Sequence, residues 1–130
     1  MTKEEVKKFK ELREQFKEDC SRVASILSQF EVYNKSEEDI TFASRFLPHG
    51  KDEVYWHGDE YWRYGGHEEH EGYFPIKYLS MTDEQVRKAG ARKNAEFLKK
   101  KKEKEDAIAA EKKRKEYEQY QKLKEQFENK

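Results

Sequence analysis

The sequence predicts an α+β fold in which a small antiparallel β-sheet or barrel is flanked by a long N-terminal helix and a long C-terminal helix. Apolar residues recur at helical spacing in both outer parts of the 130-residue chain. Both tryptophans, five of the eight tyrosines and four of the six glycines lie between Val54 and Leu79, a mixture typical of short strands joined by tight turns. The predicted boundaries are 1–33 for an amphipathic N-terminal helix, 34–81 for an aromatic-rich β domain and 82–130 for a charged C-terminal helix.

The composition limits both the core and the kind of partner. Charged residues make up 43% and apolar residues 34% of the chain, against about 25% and 45–50% in typical globular domains, so we expect a small core with solvated helices. The 28 basic and 28 acidic residues cancel, which removes the strongest argument for nonspecific nucleic-acid binding. No apolar run approaches a membrane span, and the N-terminus lacks the apolar core of an export signal. The sequence therefore predicts a cytoplasmic protein that does not bind membranes.

The N-terminal helix has a clear start and one apolar stripe. Thr2 to Glu5 forms a capping box, which predicts that the helix begins directly after Thr2. The stripe, at steps of three and four residues, consists of Val6, Phe9, Leu12, Phe16, Cys20, Val23, Leu27 and Phe30. Because this stripe needs a partner surface, we expect residues 3–30 to pack on their own domain or on a second helix. Cys20 lies on the stripe and is expected to be a buried thiol.

Short strands are predicted in the middle of the chain. In order, the predicted segments are a strand at Val54–Trp56, a tight connection at His57–Glu60, a return strand at Tyr61–Tyr64, an acidic loop at Gly65–Glu71 and a closing segment at Tyr73–Leu79. Pro75 cannot donate to a sheet ladder, so the closing segment should be an edge strand or a short helical turn. We expect Trp56 or Trp62 to be substantially buried, as the cross-strand aromatic pairs of a small sheet usually are.

The C-terminal helix begins at a second capping box, Thr82 to Gln85, and no proline interrupts it before Phe127. Lys99–Asp106 contains no apolar residue and must be solvated on every side. A separate apolar stripe follows at Tyr117, Tyr120, Leu123 and Phe127. This distal stripe predicts an association whose partner is the first helix, a second copy in a homodimer, or another protein.

Residues 36–79 resemble a Src-homology-3 domain, a small β-barrel. The segments that carry the resemblance are the acidic loop Ser36–Phe42, the stretch Gly58–Trp62, which is similar to the one that ends in the family's paired tryptophans, and the closing motif Glu71–Leu79. The closing motif is the specific one, with its aromatic residue, proline and tyrosine. The family's opening motif is represented only by Val32–Lys35, so its second ligand-contacting tyrosine is missing.

The resemblance implies a ligand groove for a proline-rich peptide. The groove residues are one of Tyr61 or Trp62 together with Tyr73, Pro75 and Tyr78. The acidic residue that would meet a basic ligand residue is Glu37, Glu38 or Asp39. Such a groove docks a preformed polyproline-II helix at a small entropic cost. The alternative interpretation is that these aromatic residues simply fill a small core.

The histidines between Gly65 and Glu71 are candidate metal ligands. His67 and His70 are three residues apart, and His57 and Asp59 are expected across the hairpin. The spacing is not that of a zinc-protease helix and no cysteine set accompanies it, so a solvated acidic turn is the favoured interpretation. We assign no metal, no cofactor and no catalytic residue, because no nucleophile elbow or phosphate-binding glycine loop is present.

The sequence therefore predicts a non-catalytic protein–protein interaction module, an adaptor or an inhibitory accessory protein, whose partner is another protein or a peptide segment. A less favoured alternative is a nucleic-acid-associated protein using the C-terminal helix, since residues 81–130 carry 16 basic and 11 acidic side chains. A further alternative is a small viral or mobile-element protein that blocks a larger host factor.

Overall fold

The computed structural model describes residues 1–129 and has an α+β architecture. The elements in order are α1 (Lys3–Leu27), β1 (Asn34–Lys35), β2 (Glu38–Asp39), β3 (Arg45–His49), β4 (Glu53–Trp62), β5 (Gly66–Pro75) and α2 (Asp83–Glu128). Short 3-10 turns lie at Glu31–Tyr33, Ile40–Phe42, Arg63–Gly65 and Ile76–Ser80. The predicted combination of two long helices and a small antiparallel sheet is confirmed.

The sheet is open. Its three antiparallel strands lie in the order β3-β4-β5, and β1 and β2 form a separate two-stranded pair. Of the two predicted alternatives, a sheet or a closed barrel, the described residues form the sheet. β5 is an edge strand that ends at Pro75, and a 3-10 turn follows it, as expected for a residue that cannot donate a hydrogen bond to a sheet ladder.

The predicted tight connection at His57–Glu60 is wrong. β4 continues through these four residues to Trp62, and the chain reverses at Arg63–Gly65, where Tyr64 and Gly65 have φ values of 71° and 79°. Gly58 occupies the strand because the backbone of the preceding segment approaches it closely: a Cβ there would lie 1.6 Å from the carbonyl oxygen of Phe42. A glycine that permits close approach is indistinguishable in sequence from a glycine that makes a turn.

The predicted acidic loop at Gly65–Glu71 is also wrong, because residues 66–75 form β5. Side chains alternate between the two faces of a strand, so His67 and His70 lie on opposite faces instead of sharing one. His70 faces the core and is 2% exposed. The segment pairs with β4 from Trp62↔Gly66 to Glu53↔Pro75, and this continuous ladder outweighs the low strand propensity of its glutamates.

The core lies between α1, one face of the sheet and the first turns of α2. Its fully buried side chains, in chain order, are Val23, Leu27, Ile40, Val54, Trp56, Phe74 and Val86, together with Cys20. Burial of Trp56 and of Cys20 is confirmed. The buried environment raises the pKa of the Cys20 thiol to about 12, because a low-dielectric site disfavours the thiolate.

The start of α2 is fixed against α1 by two close contacts. A Cβ on Gly90 would lie 2.7 Å from the ring of Phe30, so the glycine permits dense helix packing without interrupting α2. The guanidinium of Arg22 pairs with Asp83 in the first turn of α2 and donates to the carbonyl oxygens of Leu79 and Met81. These bonds hold the segment before α2 to the middle of α1.

The apolar stripe of α1 is covered over only half of its length. In the C-terminal half, Cys20, Val23 and Leu27 are completely buried and Phe30 is half-buried, whereas Val6, Phe9 and Leu12 are 37%, 59% and 70% exposed. The expectation that the helix packs on its own domain therefore holds for its second half. The first half presents apolar side chains to solvent.

The chain divides into two compact units, Met1–Asn94 and a second unit that begins at Ala95. Within the second unit, every described residue from Leu98 to Asn129 is exposed. Within residues 1–129, neither α1 nor α2 contains a stretch apolar enough to cross a lipid bilayer.

Candidate functional site

The predicted groove residues do not converge. Tyr61, Tyr73 and Pro75 lie on the solvent face of the sheet, whereas Trp62 is on the opposite face, since neighbouring residues of a strand point in opposite directions. Tyr73 pairs with Tyr55, six residues before Tyr61 on β4, so Tyr61 and Tyr73 are roughly 20 Å apart along the strand. The two tyrosines are thus separate exposed points on one face.

The remaining predicted residues have other surroundings. Tyr78 is buried, with 7% exposure. Glu38 and Asp39 form β2, and the Asp39 carboxylate accepts from the backbone and the hydroxyl of Thr41. The role of these residues in ligand binding stays a prediction, but they do not line one groove in this structure.

The distal stripe of α2 is exposed in the second unit. Its residues, Tyr117, Tyr120, Leu123 and Phe127, are 63%, 61%, 57% and 78% exposed. They share one side of the helix at steps of three and four residues. Their predicted role as an association surface stays a prediction.

Histidines and carboxylates gather on the solvent face of the β4–β5 hairpin. One ligating atom from each of His57, Asp59 and Glu69 lies within 4.8 Å of the other two. His67 Nε2 is 2.9 Å from Asp59 Oδ1, and its ring stacks on Tyr61 with a centroid distance of 4.7 Å. The hydrogen bond with His67 lowers the pKa of the Asp59 carboxyl, and the nearby His57 acts in the same direction.

A second set of such groups lies on the core face of the same hairpin. Ligating atoms of Glu60, Glu68 and His70 also lie within 4.8 Å of one another. His70 stacks on Phe42 with a centroid distance of 4.8 Å. Its Nε2 has no hydrogen-bond partner among the described residues and is 3.8 Å from Glu60 Oε2, while its Nδ1 accepts from the Asp39 amide at 3.4 Å.

An open groove of about 700 Å³ lies between the N-terminal half of α1 and strand β3. Its apolar lining consists of Phe16, Phe46 and Leu47. The charged lining residues are Lys10, Arg13, Lys17 and Arg45, with Glu14 as the acidic one. We call this feature the α1–β3 groove. It adjoins the exposed half of the apolar stripe.

Sequence reasoning missed the α1–β3 groove. The signal was present in part, because Lys10, Arg13 and Lys17 recur at steps of three and four residues beside the stripe. The opposite wall was not assigned as a strand, and a groove between two elements depends on their packing. The sequence indicates that the stripe is apolar, but not which part of it the rest of the fold buries.

The α1–β3 groove combines an apolar surface with basic side chains. Its walls provide apolar contact area, and its basic side chains are hydrogen-bond donors without acceptor capacity. The hydroxyl in its lining, Ser44, is 3.4 Å from the backbone carbonyl oxygen of His57. That hydroxyl donates to a carbonyl and is not paired with a general base, as an activated nucleophile would be.

The fold and these surfaces define a small α+β protein with an open three-stranded meander between two long helices. The chain matches no protein-family model, no curated protein and no solved structure.

Proposed function

We propose that this protein is a non-catalytic protein-interaction module that binds an acidic amphipathic helix of a partner protein in the α1–β3 groove. The supporting observation is the apolar stripe of α1, which is buried at Cys20, Val23 and Leu27 but exposed from Val6 to Leu12. Folding of the monomer alone does not explain why apolar side chains are exposed in this half of the stripe, beside an apolar groove. Covering the exposed side chains of Phe9 and Leu12 is worth about 1.5–3 kcal/mol for each side chain that becomes fully buried.

Charge complementarity supports an acidic partner. Four of the nine lining residues are basic and one is acidic, although the complete chain has no net charge. A rim with this excess of positive charge favours encounter with acidic segments and disfavours basic ones. The partner's apolar side would cover Phe16, Phe46 and Leu47, and its acidic side would meet the rim.

A helix suits the groove better than an added strand. Pro48 lies in β3, the edge strand that forms one wall, and its missing N–H removes one bond from any strand that would pair there. The other wall is a helix surface whose charged residues repeat at helical spacing. An amphipathic helix laid along such a surface uses anchors at steps of three, four and seven residues.

A displayed library of amphipathic helical peptides tests this proposal. The library keeps one apolar face and varies the polar face among acidic, neutral and basic sequences. We expect selection on the full-length protein to enrich acidic members. The selected peptide should bind the Arg13→Glu/Lys17→Glu variant at least about 10-fold more weakly, because like charges then oppose across the interface.

The matched control is Lys3→Glu/Lys7→Glu, which makes the same charge change at the same spacing on the same helix but outside the groove. This variant should retain most of the affinity. Equal losses in both variants would mean that the peptide responds only to overall charge, and the groove would not be the site. Enrichment of basic or neutral peptides would contradict the proposal directly.

The nucleic-acid alternative gives a different result. Duplex DNA bound by the basic segment 99–102 would show a steep fall of affinity with salt and would be insensitive to the Arg13→Glu/Lys17→Glu change. Such binding, with no peptide selected, would favour the nucleic-acid function over the protein-interaction function.

A further inference from the structure

We propose that the solvent face of the β4–β5 hairpin binds one divalent transition-metal ion of the Zn²⁺ class, with His57, Asp59 and Glu69 as its ligands. This site is separate from the α1–β3 groove and does not depend on the proposed function. The sequence interpretation of a solvated acidic turn no longer applies, because residues 66–75 are a strand that holds Glu69 directly opposite Asp59.

The three candidate ligands are placed by the ladder. His57 and Asp59 are two residues apart on β4 and therefore share a face, and Asp59 pairs with Glu69 across the strands. Their ligating atoms lie within 4.8 Å of one another. In a tetrahedral zinc site with bonds of about 2.0–2.2 Å, ligand atoms are roughly 3.3 Å apart. Glu69 is exposed, so its side chain can rotate toward the other two ligands.

The local charge favours a cation. β4 and β5 together contain six carboxylates and no lysine or arginine. Two neighbouring rungs pair acid with acid, Asp59↔Glu69 on the solvent face and Glu60↔Glu68 on the core face. Like charges directly opposite in a ladder are destabilising. A divalent ion bound by both Asp59 and Glu69 replaces the repulsion between these two carboxylates with the attraction of each to the same cation.

An outer shell is already in position. His67 Nε2 bonds to Asp59 Oδ1 at 2.9 Å, which orients that carboxylate and leaves its second oxygen for the ion. The His67 ring is itself held by stacking on Tyr61. Ligating carboxylates in metal sites are characteristically supported by such second hydrogen bonds. We therefore assign His67 as a positioning residue.

The core-face set of Glu60, Glu68 and His70 suits a metal less well. His70 Nδ1 accepts from the Asp39 amide, so the neutral ring carries its proton on Nε2, the nitrogen nearest Glu60. A protonated nitrogen has no lone pair for an ion. No hydrogen bond to a ring nitrogen of His57 is found within residues 1–129, so His57 is free to present either nitrogen.

The donor set selects the class of ion. Imidazole together with carboxylates suits zinc and its first-row neighbours, whereas magnesium and calcium prefer oxygen ligands alone. Arg45 pairs with His57 across β3 and β4 and is near enough to lower the pKa of Asp59. Its positive charge opposes a cation, so removal of this charge should strengthen binding.

Calorimetric titration of the full-length protein with ZnCl₂ tests the site. We expect one saturable ion per chain, with MgCl₂ giving no comparable binding. His57→Gln and Glu69→Gln should each weaken binding by more than about 100-fold, and His67→Gln by about 10–100-fold, the usual cost of losing an outer-shell partner. Arg45→Gln should bind more tightly than the wild type.

Glu68→Gln is the matched control, because Glu68 adjoins Glu69 but faces the core side. It should bind zinc within about 3-fold of the wild type, because Glu68 is neither a ligand nor an outer-shell partner in the proposed site. The proposal is overturned if no saturable binding is seen below about 1 mM zinc. A dissociation constant above this value means a binding free energy too small for a three-ligand site. The proposal is also overturned if Glu68→Gln abolishes binding and Glu69→Gln does not. Circular dichroism of each variant identifies loss of fold, and the glutamine substitutions keep side-chain size.

Discussion

Gly58→Ala should be far more damaging than an alanine at most other glycines of this chain. The new Cβ would lie 1.6 Å from the Phe42 carbonyl oxygen and 2.4 Å from its carbonyl carbon, both backbone atoms. Since real contacts of this kind are not below 3.0 Å, the segment at Phe42 must move by more than 1.4 Å (3.0 minus 1.6). A flexible side chain could rotate away, but a backbone segment between Ile40 and β3 cannot.

The loss of stability is the sum of the contacts that this movement disrupts. Overpacking a buried site costs about 1–3 kcal/mol. The hydrogen bond from the Ser44 amide to the His57 carbonyl oxygen, 3.0 Å long, contributes about 1 kcal/mol. Loss of the Phe42–His70 stack adds about 0.5–1.5 kcal/mol. Alanine also lowers the entropy of the unfolded chain, which offsets about 0.4–1 kcal/mol of this loss. The free energy of unfolding should therefore fall by about 2–5 kcal/mol.

Urea denaturation, followed by the fluorescence of the buried Trp56, measures this change. With a slope of about 1–3 kcal/mol per molar urea, the midpoint should fall by about 0.7 M or more. Gly50→Ala is the control, since Gly50 has φ +61° and no atom within 4 Å of its ideal Cβ. The control should cost only the left-handed backbone penalty of about 1–2 kcal/mol. A Gly58→Ala variant no less stable than Gly50→Ala, with the same slope, would refute the close-approach argument.

Two further predictions concern the distal stripe and the buried thiol. Deletion of residues 107–130 should leave the unfolding midpoint of Met1–Asn94 unchanged while abolishing an association seen by analytical ultracentrifugation of the intact chain; unfolding of the truncated chain with no change of oligomeric state would contradict this. The Cys20 thiol should react with a disulfide reagent only on unfolding. Because burial raises its pKa from 9.0 to about 12, its contribution to stability is complete below pH 9 and is lost between pH 9 and 12. Stability should fall there by up to about 1.4 kcal/mol per pH unit, and Cys20→Ala should show a smaller slope.

The helices were predictable because their signals are local. Thr2 accepts from the Glu5 amide, and Thr82 and Gln85 exchange side-chain-to-backbone bonds in both directions. Both capping boxes act within one turn, so no other part of the chain needs to be known. α1 and α2 accordingly begin at Lys3 and Asp83, directly after the predicted capping threonines.

The strands and the sites were less predictable because their signals are tertiary. Gly58 reads as a turn residue until the approach of Phe42 is known, and His67 and His70 read as one cluster until β5 places them on opposite faces. The α1–β3 groove depends on where α1 meets the sheet, which no local pattern of residues specifies. The ligating cluster depends on the register Asp59↔Glu69, and a shift of one residue would move Glu69 to the other face.

The exposed run from Leu98 to Asn129 allows recognition and folding to be studied independently. None of its described side chains is buried, so substitutions there change the surface offered to partners without opening a cavity in the core. A systematic scan of this run therefore tests binding: a position at which a change weakens an association, while the circular dichroism of the helix is unchanged, identifies a contact with another molecule.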